Sequence, residues 1–329
     1  MIIGAGPVGL FAVFECGMLR IKTHVVDALD VAGGQCAALY PEKPIYDIPG
    51  YPVIEASALI DKLQQQAAPF HPVFHLGQTV SGLRRGGDGR FLVETSAGTT
   101  VDAAAVVIAA GVGAFGPNRP PLPGIEAFEN KSVFYFVKRR DDFAGKRVVI
   151  AGGGDSAVDW ALSLADIAKV SVVHRRAKFR AAPESAAKLQ QLADSGKIEM
   201  VVPYQLDGLE GIGGELSSVI VKSLTGEFKR IPADALLAFF GLAMNLGPIA
   251  EWGLNLERNR IAVEASTCGT NVPGLFAIGD IASYPGKLKL ILSGFAEAAL
   301  AAHAIYPLIH PDRELHFEYS TTTGVPGLT

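Results

Sequence analysis

The sequence predicts an α/β protein of two domains, with one domain inserted into the other. Three observations support this prediction. The chain has 329 residues, a length about right for two domains. A pattern of strand, glycine-rich turn, helix and strand occurs twice, at the start of the chain and near its middle. An apolar strand ending in Gly-Asp lies near the C-terminus, so the last part of the chain is expected to complete the first domain.

The composition indicates a compact, enzyme-like protein. With 37 Gly, 20 Pro and 49% hydrophobic residues, the chain is neither disordered nor fibrous. No apolar run approaches the ~18 residues of a membrane span and no signal peptide is recognisable, so no membrane association is predicted. Cys16, Cys36 and Cys268 are far apart and show no CxxC or zinc spacing, which predicts a cytoplasmic protein without a metal site. A net charge of −4 and the lack of a nucleic-acid module argue against nucleic-acid binding.

The first motif lies in "MIIGAGPVGLFAVFECGMLRIKTHVVD". An apolar strand end leads into Gly4-x-Gly6-x-x-Gly9, a helix to about Leu19, and a second strand, His24–Val26, followed by Asp27. Glycines at this spacing allow a tight turn, close approach of a pyrophosphate and packing of the helix on the sheet. A carboxylate after the second strand can accept hydrogen bonds from a ribose, so the pattern predicts a Rossmann-like dinucleotide site. Because the first strand is shorter than the usual length of roughly five or six residues, we expect that the true N-terminus is missing.

The second motif lies in "GKRVVIAGGGDSAVDWALSLADIAKVSVVHRR". The predicted elements are a strand Arg147–Ala151, the turn Gly152-x-Gly154-x-x-Ala157, a helix to about Ala168 and a strand Val170–Val173. This second strand ends without an acid, in His174-Arg175-Arg176. A carboxylate would repel a 2′-phosphate, whereas two guanidinium groups can bind one bidentately.

The cations of "VVHRRAKFR" therefore predict an NADP(H) site, and the alternative is an ordinary solvated loop. Arg180 is a candidate for completing the phosphate clamp, and Lys178 is equally compatible with plain surface. His174 is expected to stack or hydrogen-bond near the adenosine and not to act as a catalytic acid. Asp27 suits FAD, so the two domains are expected to bind different dinucleotides.

The domain order follows from "NVPGLFAIGDIA", an apolar strand that ends in Gly279-Asp280. In flavoproteins with two dinucleotide sites, such an aspartate hydrogen-bonds the ribityl chain of the flavin. We therefore predict a discontinuous FAD-binding domain, residues 1–115 and 238–329, and an inserted NADP(H)-binding domain, residues 116–237. Both crossings are rich in Gly and Pro, as hinges often are. The segment "RFLVETSAGTTVDAAAVVIAAG" is expected to form a β-meander that returns to the main sheet.

This order of motifs resembles the thioredoxin-reductase-like flavoproteins over essentially the full length. Thioredoxin reductases carry a redox CxxC just before the second glycine motif, and this chain has no cysteine between Ser132 and Gly154. A dithiol relay needs two neighbouring thiols, so disulfide reduction is not expected. The segments "GGQCAALYPEKPIYDIPGYP" and "YSTTTG" instead resemble the thioredoxin-reductase-like ferredoxin–NADP+ reductases.

That resemblance implies a flavin between two rings, here Tyr40 and Tyr319, and a homodimer. It also implies FAD contacts at Asp27, Gln35, Val80, Phe115, Asp280 and Thr321. The alternatives are core packing for Tyr40 and a surface tail position for Tyr319. Cys36 is expected to be a structural thiol, because its neighbours supply no evident base or cation.

The implied function is electron transfer between NADP(H) and ferredoxin through FAD, by hydride transfer to the flavin and then single-electron steps. Ferredoxins are generally acidic, so the basic stretch Lys138–Arg147 together with Arg175–Arg180 is a candidate docking surface. Two rival functions remain open at this point. One is an NADPH/FAD redox sensor without fast turnover, and the other is an NADPH-dependent reductase of flavodoxin or quinones.

Overall fold

The structure, a computed structural model, describes residues 1–316 and 319–326, with only the backbone described for residues 114, 115, 117, 242–244 and 323. The chain divides into unit 1, Met1–Phe115 with Met244–Thr329, and unit 2, Gly116–Ala243. The sequence predicts crossings at 115/116 and 237/238, and the structure places the second one at 243/244. The reason is that residues 238–243 stay with unit 2. The Phe239 N–H donates to the Ala151 carbonyl at 2.8 Å, and the Asn118 N–H donates to the Gly241 carbonyl at 3.0 Å.

The described residues form seven α-helices, of which five have 10 to 19 residues and two have four residues. Their bounds are α1 Pro7–Met18, α2 Gln35–Ala38, α3 Ala56–Ala67, α4 Asp155–Leu164, α5 Pro183–Asp194, α6 Ile291–Ile309 and α7 Ser320–Thr323. Helix α4 ends four residues before the predicted Ala168, because the chain turns back there and the Ile167 carbonyl accepts a hydrogen bond from Gly145 N–H at 2.7 Å.

The β-strands of unit 1 before the first crossing are β1 Ile2–Ile3, β2 His24–Val26, β3 Pro44–Ile45, β4 Ile54–Glu55, β5 Val73–His75, β6 Val80–Arg85, β7 Phe91–Thr95, β8 Thr100–Ala103 and β9 Val106–Ile108. Strand β10, Ala114–Pro117, contains the crossing. Unit 2 has β11 Val133–Phe134, β12 Arg147–Ala151, β13 Lys169–Val173, β14 Ile198–Val201, β15 Tyr204–Ile212, β16 Glu215–Ser223, β17 Phe228–Pro232 and β18 Ala235–Ala238. Strand β19, Leu242–Asn245, contains the return, and β20 Leu256–Glu257, β21 Arg260–Ala262, β22 Leu275–Ala277 and β23 Ala282–Ser283 follow in unit 1.

Unit 1 is built on a parallel sheet in the order β22-β9-β1-β2-β5. Its strands are short apolar runs such as Val106–Ile108, which suits a sheet buried on both faces. Helices α1, α3 and α6 cover one face, and their apolar residues form one core cluster with the sheet. The antiparallel sheet β6-β7-β8 leads back to β9 in the main sheet, which confirms the predicted meander. Strand β22 joins the same sheet from near the C-terminus.

Unit 2 repeats this plan with a parallel sheet in the order β11-β18-β12-β13-β14. Helices α4 and α5 cover one face, and the antiparallel sheet β15-β16-β17 contributes apolar residues to the core on the other. Strand β12 has the predicted bounds, and β13 begins one residue before the predicted start. Because β12 and β13 run in parallel, the glycine turn after β12 and the cations after β13 lie at the same edge of the sheet.

Candidate functional site

The glycine turn of unit 1 leaves space at the start of α1. Gly4 has φ +108°, and a Cβ there would lie 2.4 Å from the Ala109 carbonyl oxygen. A Cβ at Gly9 would lie 1.9 Å from the Gly4 oxygen, so both positions require glycine. At Gly6, the residue before α1, a Cβ would meet no atom within 4 Å. Pro7 begins the helix with a favourable φ. The open side of Gly6 therefore faces space that a pyrophosphate can occupy beside the N-terminus of α1.

Asp27 follows β2 and is held by the backbone around it. Its Oδ2 accepts a hydrogen bond from Ala5 N–H at 2.6 Å, and its Oδ1 accepts one from Leu29 N–H at 2.9 Å. Burial raises the pKa of Asp27, while these two hydrogen bonds act in the opposite direction. Each oxygen keeps a further lone pair for a ligand. The geometry thus suits a carboxylate that binds ribose hydroxyl groups.

A cavity of about 390 Å³ lies within unit 1 and extends from the glycine turn to the Gly279-Asp280 turn. Its volume is within the range of small-molecule sites, roughly 300–1,000 Å³. The structure brings most of the predicted flavin contacts into its wall, namely Gly4, Gly6, Asp27, Gln35, Tyr40, Val80, Gly279 and Asp280. Gly9 packs against the turn instead of lining the cavity.

The wall also contains residues that the sequence analysis did not assign to the site. They include Cys36, Gln78, Thr79, Gly111, the segment 246–249 and Ile291. The Gly-Pro pair in the segment 246–249 is the sequence feature that could have indicated its place in the wall, but such a pair also fits a simple hinge between the domains. Gly111 lies close to a predicted contact, because a Cβ there would be 3.6 Å from Gln35 Nε2.

Tyr40 and Cys36 lie side by side in this wall. Burial raises the pKa of the Tyr40 hydroxyl, and its ionisable neighbours Cys36 and Asp280 raise it further. Burial also raises the pKa of the Cys36 thiol to about 12, with a contribution from Asp280. Cys36 is therefore a thiol at neutral pH and not a nucleophilic thiolate, in keeping with a structural residue.

Two of the predicted flavin contacts, Tyr319 and Thr321, belong to the C-terminal extension. Tyr319 is 69% exposed and precedes the single turn α7, in which Thr321 is also exposed. Neither belongs to the wall of the cavity of unit 1. Their roles at the flavin stay predictions. The side chain of Phe115 lies outside the described residues, and its predicted flavin contact also stays a prediction.

The glycine turn of unit 2 has the same open position before its helix. A Cβ at Gly154 would meet no atom within 4 Å, whereas one at Gly152 would lie 2.7 Å from the Phe239 oxygen. Ala157 is buried at the place where unit 1 has Gly9, and its Cβ would lie 2.9 Å from a Cβ at Gly152. The space beside Gly154, at the N-terminus of α4, can hold a second pyrophosphate.

The loop after β13 is tied to this glycine turn. The His174 ring packs over Gly153, where a Cβ would lie 2.2 Å from its Cε1, and tilts against Phe179 with 5.0 Å between ring centres. Arg180 N–H donates to the Gly153 carbonyl at 2.6 Å. Burial lowers the pKa of His174, and the charges of Arg175, Arg176 and Arg180 lower it further, so the ring is neutral at pH 7. The loop is therefore braced against the turn that it borders.

The guanidinium groups of this loop are available for an anion. Arg175, Arg176 and Arg180 are exposed, and none of them forms an ion pair within residues 1–316 and 319–326. They lie at the carboxyl edge of the sheet, beside the open side of the second glycine turn. Three such donors can bind a 2′-phosphate.

The predicted docking surface is not continuous, and this prediction needs a correction. Strand β12 begins at Arg147, whereas Arg175–Arg180 follows the end of the parallel neighbour β13. Arg147, the last residue of the basic stretch, thus lies at the opposite end of the strands from Arg175–Arg180, separated from them by a five-residue strand, or roughly 16 Å. Arg147 is also paired with Asp234, and Arg140 Nε donates to the Ser163 carbonyl at 2.8 Å. Sequence proximity concealed this separation, because a strand carries its two ends to different edges.

The chain is similar to known proteins over nearly its whole length. A family model described as pyridine nucleotide-disulphide oxidoreductase matches residues 1–304. A ferredoxin–NADP reductase of Paramagnetospirillum magneticum is 63% identical, over 99% of this chain and 97% of that protein. One from Rhodospirillum rubrum is 61% identical, over 100% and 96%.

Solved structures of thioredoxin reductases have the same fold. The enzyme of Lactococcus lactis matches with a TM-score of 0.80 and 26% identity, over 94% of this chain and 98% of that one. The enzyme of T. acidophilum matches with a TM-score of 0.80 and 26% identity, over 93% and 96%. These likenesses confirm the predicted thioredoxin-reductase-like α/β fold. The chain thus belongs to the pyridine nucleotide-disulphide oxidoreductase family, and within it to the group of the ferredoxin–NADP reductases.

Proposed function

We propose that this protein is a ferredoxin–NADP reductase that moves electrons between NADP(H) and ferredoxin through FAD. The observation that carries the proposal is the contrast between two otherwise similar sites. In unit 1 the strand after the glycine turn ends in the carboxylate of Asp27, and in unit 2 it ends in Arg175 and Arg176. The first end suits a ribose with free hydroxyl groups, and the second suits a 2′-phosphate.

The residues of unit 1 would hold FAD along its length. Gly6 and the N-terminus of α1 would receive the pyrophosphate, Asp27 the ribose, and Asp280 the ribityl chain. Tyr40 and Val80 would pack against the flavin side of the cavity. Bound FAD supplies the exchange between two-electron and single-electron transfer. The hydride step demands no acid or base from the chain, and the wall supplies placement and exclusion of water.

The residues of unit 2 would hold NADP(H). The space beside Gly154 would receive its pyrophosphate, and Arg175, Arg176 and Arg180 its 2′-phosphate. His174 would brace the loop, since its neutral ring packs on the glycine turn. The exposed cations at this edge would also attract an acidic electron-transfer partner. Ferredoxin, the partner named for the homologous reductases, is the proposed one. Flavodoxin is a further candidate for the same surface.

Electron transfer through protein thiols receives no support from the chain. Cys16, Cys36 and Cys268 are all buried and unpaired. Burial raises the pKa of Cys16 to about 11 and the pKa of Cys268 to about 12. Neutral thiols of this kind are poor partners for thiol–disulfide exchange, because the thiolate is the reactive form.

We expect NADPH oxidation by ferredoxin to survive removal of all three thiols. The variant Cys16→Ala/Cys36→Ala/Cys268→Ala should turn over at the wild-type rate per bound FAD, to within about threefold, because neutral buried thiols take no part in electron transfer. Steady-state assays with ferredoxin, flavodoxin, a quinone and ferricyanide would measure this.

The same assays separate the rival functions. Slow turnover of the wild-type protein with every acceptor would favour a redox sensor over an enzyme. Faster turnover with flavodoxin or a quinone than with ferredoxin would identify that acceptor, and not ferredoxin, as the electron partner. Loss of ferredoxin reduction in a folded, FAD-replete triple variant would contradict the thiol-free route. A cytoplasmic location stays a prediction.

We also propose a homodimer in which α6 contributes to the interface. This helix has 19 residues and is long and apolar enough to cross a membrane by length and composition alone. Its sequence is not a continuous apolar run, because Ser293, Glu297 and His303 interrupt it. One side packs against α1, through residues such as Ala298 and Ala301.

The other side of α6 carries exposed apolar residues. Leu292, Leu300 and Leu308 are exposed at intervals of eight residues, so each is turned by roughly 80° about the helix axis from the one before it. Phe11 and Phe295 pack together at the border of α1 and α6, with 4.7 Å between ring centres. Apolar surface of this kind supports contact with a second copy of the chain.

The variant Leu300→Glu is therefore expected to weaken the dimer, because it would bury a charge in the interface. A tenfold or greater increase in the dissociation constant, on the order of 1.4 kcal/mol or more, is expected from light scattering over a concentration series. Leu224→Glu is the matched control, since Leu224 is more exposed and lies on a turn in unit 2. Equal dissociation of the two variants would contradict a role for α6.

A further inference from the structure

A buried charged cluster lies directly behind the Gly279-Asp280 turn. Glu297 of α6 is 2% exposed, and the side chain of Lys287 is 4% exposed. Glu297 Oε1 accepts hydrogen bonds from Lys287 Nζ and, at 2.7 Å, from the Tyr284 hydroxyl. Its other oxygen, Oε2, accepts a hydrogen bond from Gly279 N–H at 2.7 Å. A core carboxylate is costly unless it is paired, and the lysine and the two other donors satisfy it.

The backbone group that Glu297 binds belongs to the wall of the cavity. Gly279 has φ +76°, a conformation that glycine adopts readily and other residues rarely do. The next residue, Asp280, carries its carboxylate in the cavity wall, and Ile291 at the start of α6 lies in the same wall. Glu297 thus links the helix, the turn and the position of Asp280 through one hydrogen bond to the backbone of Gly279.

We propose that Glu297 is a positioning residue for the flavin, acting through Asp280. Its carboxylate holds the Gly279 N–H, so that the Asp280 carboxylate keeps its place against the ribityl chain. Lys287 neutralises the buried charge and Tyr284 orients the carboxylate. This inference rests on the proposed binding of FAD in this cavity.

The test compares two variants that differ in one hydrogen-bond acceptor. Both remove the buried charges together, so that no unpaired ion is left in the core. Glu297→Gln/Lys287→Met keeps an oxygen for Gly279 N–H, and Glu297→Leu/Lys287→Met does not. The rate of FAD release from each holoenzyme is followed by the rise of free-FAD fluorescence after dilution. The leucine variant should release FAD about tenfold faster than wild type, or more, and the glutamine variant within about threefold of it.

A double-mutant cycle with Asp280→Ala separates positioning from a general effect on folding. If Glu297 acts through Asp280, the leucine variant should speed FAD release by less than about twofold once Asp280 is absent. Ser132→Ala is the matched control, because Ser132 is a buried polar residue of unit 2. Its hydroxyl donates a hydrogen bond to the Gly214 carbonyl at 2.7 Å. This control should lower thermal stability without changing FAD release.

If the leucine variant fails to fold, the Glu297→Asp variant tests the same contact while keeping the charges of residue 297 and Lys287. Its shorter side chain withdraws the acceptor from Gly279, so faster FAD release is expected here too. Equal release rates in wild type, Glu297→Asp and the two double variants would overturn the proposal, and so would a full tenfold effect in the Asp280→Ala background. A wild-type protein purified without FAD would instead contradict the proposed function.

Discussion

Replacing Arg175 and Arg176 together by alanine is expected to raise the KM for NADPH about 100-fold or more. Each guanidinium lost from a phosphate removes roughly 1.5–3 kcal/mol of charge-assisted hydrogen bonding. NADH lacks the 2′-phosphate, so its KM should change by less than about threefold, and the preference for NADPH should largely disappear. Both side chains are exposed and unpaired within the described residues, so their removal should leave stability almost unchanged. Steady-state kinetics with both nucleotides and ferricyanide would measure the effect.

The control for this double variant is Lys178→Ala. Lys178 is an exposed cation of the same loop, and its removal tests whether any lost positive charge has the same effect. We expect Lys178→Ala to change the KM for NADPH by less than about threefold, because salt screens the effect of an exposed charge that does not contact the phosphate. An arginine variant that used NADPH as wild type does would show that the phosphate lies elsewhere.

The second large effect is expected for Gly6→Ala, which should speed FAD release about 10- to 100-fold. An added methyl at this position meets no protein atom within 4 Å, and its φ of −68° is open to alanine. The fold should therefore tolerate the change, and any loss must come from the space outside the protein. If the pyrophosphate lies in that space, the methyl group would displace it, at the cost of roughly 1–3 kcal/mol known for overpacking.

Two further glycines make this experiment specific. Gly87 also has open space around it and lies in the turn after β6, so Gly87→Ala should leave FAD release unchanged. Gly154→Ala should weaken NADPH binding and leave FAD release unchanged, because the same open position occurs there in unit 2. FAD release is measured by fluorescence and thermal unfolding serves as the control for folding. Normal FAD retention by Gly6→Ala would place the dinucleotide away from α1.

The sequence by itself determined the two nucleotide motifs and their difference. A glycine turn is encoded by neighbouring residues, since the backbone conformation of Gly4 and the contact of Gly9 with Gly4 arise within a few residues. The choice between Asp27 and the Arg175-Arg176 pair at a strand end is equally local, because it depends on one or two side chains. The inserted order of the domains could be predicted because the Gly279-Asp280 strand is an apolar run with a recognisable end.

The tertiary structure decided what several distant segments build together. The wall of the cavity joins Cys36, Gly111 and the segment 246–249, which no local pattern connects. The basic stretch ending at Arg147 separates from Arg175–Arg180 because parallel strands place their starts and ends at opposite edges of a sheet. Glu297 is one polar residue in an otherwise apolar helix, and its role depends on the packing of α6 against Gly279. Local patterns depend on steric limits within a few residues, whereas these arrangements depend on the register of segments far apart in the chain.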